Sequence, residues 1–549
     1  MAAMLANPYL VGSQQLITYH LTQTPLAQVL LFENMAASPS AVQNDSGNGS
    51  QVIRSPFLWA SVFILSLSTI QYTLRDVTSL QCVTSSSSLF GSEAMARSKL
   101  ASSKCRLTCR FEVIESIPEN ITFGDAFIPR STFDAWRVLI NLAREELDIA
   151  AYKSSLRGKH VLGGSTRSSE WGEEIFDFLN RAGKERGVSI RIVENYPPKD
   201  KGDNEDAKSL VRRGAAERRS LHFNRVFGAG TMHSKFLIAD KKHFYMGSAN
   251  LDWRSLSQKM ELGVLVRDCP CLAEDMSRIF DSYWELHRFE NASTPRIADP
   301  TGITVADTVY NMSHPLILEH QGAMTEIYLA ASPMELNGPG RTHDLDAILT
   351  IIGNAQNYLY IHVMDYIPMI VYSEPQRYWP KIDDAIRTAI VDRGVEVKML
   401  AAALHFVPQT LSFLSSLKSI SQVTRKGSID VRIFKVPTED HVPTVIARDR
   451  RTHNKFVVTE ESVIIGTSNW SGDYFNGNTG VAVIVNQRDQ SKQPFIDQMR
   501  EIFMRDWDSN YAHPLGVYME KCLTKGPKPA MCEGKKDPKL FAQAPPAKA

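Results

Sequence analysis

His233-Ser-Lys235-Phe-Leu-Ile-Ala-Asp240, followed by Gly247-Ser-Ala-Asn250, recurs far downstream as His453-Asn-Lys455-Phe-Val-Val-Thr-Glu460, followed by Gly466-Thr-Ser-Asn469. In each copy a histidine and a lysine stand two apart at the head of an apolar run, Phe236 to Ile238 or Phe456 to Val458. Alternate residues of a strand face the same side, so each copy is predicted to turn its histidine and lysine together into one cleft. Tyr245-Met246 and Val463 to Ile465 read as return strands, each ending at Gly-x-x-Asn. A glycine there admits close backbone approach, and an asparagine can hold a histidine nitrogen or a phosphate oxygen. Two copies predict one site built from two halves, each supplying a histidine, a lysine and a carboxylate.

The surroundings of the motif repeat as well. Thr132 to Asp148 has helical apolar spacing and runs into a strand-like stretch at Leu147 to Tyr152; Asp344 to Tyr358 does the same and runs into Leu359 to Asp365. Gly172 to Arg186 then leads to the strand Val188 to Val193, and Tyr378 to Arg393 leads to Val395 to Leu400, both strands introduced by Arg-Gly-Val. Strands alternating with amphipathic helices define an α/β sandwich. Two such units in one chain predict an α/β fold of two fused pseudo-twofold halves sharing one active site.

These residues suit attack on a phosphodiester. Two lysines can stabilise the charge that grows on the phosphoryl oxygens. One histidine can attack phosphorus to form a phosphohistidine, while the other protonates the leaving oxygen and then activates water. Unperturbed histidine titrates near pH ~6.5, so one neutral and one protonated histidine coexist most readily in mild acid. The scheme needs no metal and no cofactor. The expected catalytic set is His233, Lys235, Asp240, His453, Lys455 and Glu460, with Asn250, Asn469, Gly247 and Gly466 as supporting or phosphate-binding positions.

The chain has 549 residues and a net charge of +1, so global charge does not point to a partner. Residues 1–54 read as a flexible tail. Residues 55–74 carry no charge between Arg54 and Arg75 and read as a membrane-spanning helix, against the alternative of a buried helix. Residues 75–104 read as a stalk, 105–315 and 316–523 as the two halves, each with one motif, and 524–549 as a disordered Lys/Pro/Ala-rich tail. Asn120, Asn291 and Asn311 head glycosylation sequons after the span. Of the seven cysteines, Cys105 and Cys109 stand four apart and Cys269 and Cys271 two apart. Free thiols, a zinc site and two disulfides linking the pairs all remain open on spacing alone.

The paired motifs resemble the phospholipase D superfamily. Val113 to Pro118, Gly247 to Ser255, Val363 to Pro368, Tyr378-Trp-Pro380 and Gly466 to Ser471 are similar in particular to its membrane-anchored members 3 and 4, as is the glutamate closing the second motif. The resemblance covers Cys105 to about Tyr511. It implies a fold of phospholipase D type and a type II membrane protein delivered through the endoplasmic reticulum to lysosomes, with a lumenal body. It also implies a metal-independent 5′-to-3′ exonuclease acting on single-stranded DNA and RNA at acidic pH, and a link to lipid transphosphatidylation. It pairs Cys105 with Cys271 and Cys109 with Cys269, and favours His233 as nucleophile. The chain departs from the pattern at Ala401 to Ala403, where relatives place a cysteine; Cys522 is left to pair with Cys532 or stay free.

The expected partners are a single-stranded nucleic acid or, alternatively, a phospholipid, the membrane through the N-terminal helix, and a second copy in a homodimer. Arg212, Arg213, Arg218, Arg219 and Arg225 before the first motif, and Arg448, Arg450 and Arg451 before the second, are candidates to attract a phosphate backbone. Trp253, Tyr366 and Trp470 are candidates to stack bases, or else core residues.

Overall fold

The computed structural model describes residues 105, 107–287, 307–402, 407–438 and 442–523. The expected tail, membrane span and stalk, the C-terminal tail, Asn291, Cys82, Cys532 and the side chain of Cys522 lie outside the described residues.

In chain order the main elements of the first half are β1 (Arg110–Ser116), α1 (Thr132–Leu142), β2 (Glu146–Ala151), α2 (Glu170–Lys184), β3 (Ser189–Asn195), β4 (Glu217–Leu221), β5 (Phe236–Ala239), β6 (His243–Gly247), β7 (Lys259–Arg267) and α3 (Pro270–Leu286). The second half follows with β8 (Leu316–His320), β9 (Ala323–Ser332), α4 (Asp344–Asn354), β10 (Tyr358–Val363), α5 (Lys381–Thr388), β11 (Glu396–Ala402), β12 (Ser428–Phe434), β13 (Lys455–Thr459), β14 (Ser462–Gly466), β15 (Gly480–Asn486) and α6 (Pro494–Trp507).

The first sheet runs β1-β7-β6-β5-β2-β3-β4, and the second runs β8-β9-β15-β14-β13-β10-β11-β12. Apart from two added edge strands, β8 and the short Ala512–Pro514 beside β12, the orders match strand for strand. So do the directions: β2, β3 and β4 are mutually parallel, as are β10, β11 and β12, and the remaining neighbours in each sheet are antiparallel.

Burial explains the periodicity of these elements. Leu147, Ile149 and Ala151 of β2 face a core closed by Phe133, Trp136, Leu139 and Ile140 of α1 and Ile175, Phe176 and Leu179 of α2. Ala150 faces the other way, into a second core lined by α3 that continues without a break into the second half. Alternation along the strand thus serves two faces, each covered by helices. Helix α1 starts where Ser131 Oγ accepts the Asp134 N–H at 3.0 Å, a side-chain N-cap.

Ion pairs tie the halves together: Arg505 with Glu115 at 2.9 Å and Arg341 with Asp275 at 2.6 Å, both buried, and Arg254 with the half-buried Asp449 at 2.8 Å. Two disulfides, Cys105–Cys271 and Cys109–Cys269, clasp the start of the described body to the N-terminus of α3. Cys105, Cys109 and Cys269 form the one metal-compatible cluster among the described residues, and their sulfurs are taken up in these bonds.

Candidate active site

Both motifs lie on the segments entering the central strands β5 and β13, and the folded chain brings them to one cleft. His233, Lys235, His453 and Lys455 are all at least nine-tenths buried. Each lysine folds back on its own motif: Lys235 Nζ donates to His233 O at 2.5 Å, and Lys455 Nζ to His453 O at 2.6 Å. The backbone of each motif is held by the opposite half. His233 N and Ser234 N donate to Thr479 Oγ1 at 2.8 and 3.1 Å. His453 N donates to Met260 O at 2.8 Å, beside a short parallel pairing of Lys259–Met260 with Arg451–Thr452. Neither half can place its motif without the other, which is the physical reason that one site needs both copies.

The halves are not equivalent at the histidines. His453 Nδ1 lies 2.7 Å from Glu261 Oε2, and the same buried carboxylate accepts Ser248 Oγ at 2.6 Å and Ser255 Oγ at 2.7 Å. This fixes Nδ1 as the protonated nitrogen and frees Nε2 for the cleft. The strand registers, Gly247 opposite Gly263 and Gly466 opposite Ala482, make Gly480 the counterpart of Glu261. No side chain fits there, since a Cβ would stand 2.2 Å from Ser468 Oγ and 2.8 Å from Asp344 Oδ2. His233 Nδ1 accordingly is buried with no hydrogen-bond partner. Its ring is held instead between Tyr152 and Tyr474, with centroids at 4.9 and 4.8 Å. Sequence reading missed Glu261 because its only local signal is a polar residue inside an otherwise apolar strand.

The expected carboxylates are not in the site. Asp240 lies at the far end of β5, five residues or roughly 16 Å along the strand from Lys235. There its oxygens accept the backbone N–H groups of Arg144, Glu145 and Glu146, at the turn entering β2, at 2.9–3.1 Å. Partial burial works against its charge, but these N–H groups outweigh it and hold the carboxyl below its usual range. Glu460 makes the same tie to the N–H groups of Gln356, Asn357 and Tyr358. Both are structural clasps between neighbouring strands, not reacting groups. Replacing Asp240 with alanine is expected to cost about 1–3 kcal/mol by orphaning these donors, lowering the melting temperature while the folded enzyme keeps its kcat. A kcat loss without a stability loss would return Asp240 to the chemistry.

Gly247 and Gly466 do not line the cleft either. A Cβ at Gly247 would lie 2.6 Å from Gly263 Cα and from Tyr245 Oη, so this glycine serves strand packing; Gly466 meets only ordinary contacts, beginning with Ala482 Cβ at 3.6 Å. Asn250 and Asn469 fare better. Both line the cleft, each with a buried Oδ1 that has no partner.

The cleft encloses about 600 Å³. Its cations include Lys153, Lys159, Lys199, Lys201, Arg448 and Arg451. The arginine run before the first motif is absent from this wall. Arg218 pairs with Glu194, Arg219 stacks on Trp284 and Arg213 on Phe176. Arg450 is buried and donates to Gln258 Oε1 and Pro437 O. Trp253, Tyr366 and Trp470 are core residues; the aromatic rings of the cleft are Tyr152, Tyr372 and Tyr474. The loop Tyr196 to Asp206, which reads in sequence as a polar excursion, supplies Lys199, Asp200 and Lys201 to the cleft and anchors itself through buried Asp203 and Asp206.

Burial, reinforced by the lysines, pushes both histidines well below the usual range and so toward the neutral form. Glu261, bonded to His453 and not to His233, opposes this at His453. Burial also lowers Lys455 to about 7 and raises Asp365, on the cleft wall, to about 6. Both groups become more positive as pH falls: Lys455 gains its proton below about 7 and Asp365 loses its negative charge below about 6. Affinity for a phosphodiester is therefore expected to rise as pH drops from 8 to 5. Asp365→Asn should remove the change in KM near pH 6 and move the Lys455 step to lower pH, because the Asp365 charge helps Lys455 keep its proton, which steady-state kinetics across that range would check.

The shared cleft with its two histidines, the two buried lysines bonded to the backbone of those histidines, and the doubled sheet are those of a phospholipase D-type phosphodiesterase. Residues 125–439 match the family model described as PLD3/4, PLD-like domain, and the chain belongs to that family. It is 38% identical over 427 residues, 76% of this chain and 84% of the relative, to the 5'-3' exonuclease PLD3 of Xenopus laevis. It is 37% identical to the human 5'-3' exonuclease PLD3, over 75% of this chain and 82% of that protein. A probable phospholipase D of Caenorhabditis elegans is 37% identical over 78% of this chain and 74% of its own. Among solved structures, phosphatidylserine synthase from Haemophilus influenzae shares the fold with a TM-score of 0.50 at 12% identity, covering 77% of this chain and 93% of that one.

Proposed function

We propose that this protein is a metal-independent 5′-to-3′ exonuclease acting on single-stranded DNA and RNA through a covalent phosphohistidine. The observation that carries this reading is the pair of histidines, unequal in their partners, in one cation-rich cleft. Relatives that bear the name 5'-3' exonuclease PLD3 support the choice of substrate.

The inequality assigns the roles. His233 has no carboxylate and is held toward the neutral form, so its Nε2 lone pair is available to attack phosphorus. The P–O5′ bond breaks as His453 Nε2 gives its proton to the departing oxygen, with Glu261 stabilising the imidazolium beforehand. Neutral His453 then takes a proton from water, whose oxygen attacks phosphorus. The N–P bond breaks, releasing a 3′-phosphate and restoring His233. Lys235 and Lys455, fixed beneath the site, stabilise the equatorial oxygens throughout.

The test is turnover of a 5′-hydroxyl single-stranded oligonucleotide against phosphatidylcholine near pH 5, with the purified body. Lipid turnover without oligonucleotide cleavage would replace this reading with a phospholipase D or transphosphatidylase.

A type II membrane topology with a lumenal body is proposed with it, resting on the charge-free stretch at 55–74 and on the two disulfides, which persist in oxidising compartments. Glycans at Asn120, Asn291 and Asn311 follow from that topology. A glycosidase-sensitive mass shift that each Asn→Gln change reduces is the expected result, and an unglycosylated cellular protein would sink the proposal.

A further inference from the structure

Two cavities meet at His233. The cleft of about 600 Å³ also reaches His453; a second, of about 640 Å³, does not. They share Tyr152, Lys199, His233, Tyr372 and Tyr474, so the tyrosines that hold the His233 ring also form the partition. Their charge differs sharply. Eight cationic side chains line the first against three acidic ones. The second has two of each, Lys199 and Arg377 against Glu335 and Asp473, and its remaining wall is mostly aromatic rings, prolines and amides such as Tyr196, Phe227, Asn195 and Asn224.

We propose that these lobes divide the strand. The terminal nucleoside occupies the neutral lobe, the scissile phosphate sits at the partition, and the continuing chain leaves through the basic lobe. This deepens the exonuclease reading and rests on it. Three observations carry the orientation. A phosphodiester chain is held by cations, and only the basic lobe has them in excess. The oxygen that leaves belongs to the continuing chain and must meet the acid, and His453 lines the basic lobe alone. The terminal nucleoside brings a base and an uncharged sugar, matched by rings and amides in a cavity of the size that encloses one small ligand. In the balanced step, His233 retains the terminal nucleoside 3′-phosphoryl group while the proton from His453 departs with the chain.

The test compares the exposed residues Asn224, of the neutral lobe only, and Lys201, of the basic lobe only. Substrates are a dinucleoside monophosphate, a twelve-nucleotide strand, and the same strand with its terminal base removed. Asn224→Trp is expected to lower kcat/KM by the same factor, at least about fivefold, on the first two, and to abolish the difference made by the terminal base. Lys201→Ala is expected to lose at least about threefold more on the long strand than on the dinucleoside, and to make the salt slope shallower by about 0.7 for each phosphate left without its cation. The partition is overturned if the Asn224→Trp defect grows with chain length, if Lys201→Ala responds to the terminal base, or if the two variants do not separate. Failure of the wild-type enzyme to cut either oligomer would instead remove the exonuclease reading itself.

Discussion

His453→Ala is expected to lower kcat on a natural oligonucleotide by about 10³-fold or more, and to leave a covalent adduct trapped on His233 only where the leaving group needs no proton. Loss of a general acid costs typically 10²–10⁴-fold, and His453 serves both steps, first giving a proton to the leaving oxygen and then removing one from water. The two losses can be separated. A p-nitrophenyl phosphodiester loses p-nitrophenolate without protonation, so adduct formation should recover on that substrate while its hydrolysis stays slow, and intact-protein mass spectrometry should show a nucleoside 3′-phosphoryl group on His233. His233→Ala should form no adduct with either substrate. An adduct on His453 in the His233 variant would reverse the assignment.

Glu261→Gln is expected to lower kcat by roughly 10²- to 10⁴-fold with little change in KM, the scale seen when a carboxylate orienting a catalytic histidine becomes an amide. Glu261 touches no substrate; it acts through His453, whose Nδ1 it accepts at 2.7 Å. Without the negative charge, burial and the neighbouring lysines leave the imidazolium unsupported. The basic limb of the kcat profile should therefore move to lower pH in the variant. A merely structural role would lower the melting temperature and leave the shape of that profile in place. Because Ser248 and Ser255 also donate to this carboxylate, Ser248→Ala should show the same shift in weaker form.

Much of the architecture was legible in the chain because local pattern encodes it. The helix–strand units were visible from apolar spacing, and the return strands from the glycines that end them. The histidine and lysine of each motif share a face because strand alternation forces it. Assignment of the motif carboxylates failed for an equally simple reason. The spacing that keeps histidine and lysine together puts Asp240 and Glu460 at the other end of the strand, where they clasp backbone instead. The arginine run and the tryptophans misled because charge and aromaticity do not reveal direction. Arg218 and Arg219 turn onto Glu194 and Trp284, and Trp253 turns into the core.

The sequence by itself determined that two copies of one strand motif, each carrying a histidine and a lysine, would build a doubled α/β fold suited to a phosphodiester. Only the tertiary structure decided that the two histidines differ. The hydrogen bond that separates them joins Glu261 to His453 across 192 residues and between halves, and its counterpart is missing because Gly480 leaves no room for a side chain. Local periodicity reports which face a residue occupies. It cannot report what the opposite half places against that face, and at this site the opposite half sets the division of labour.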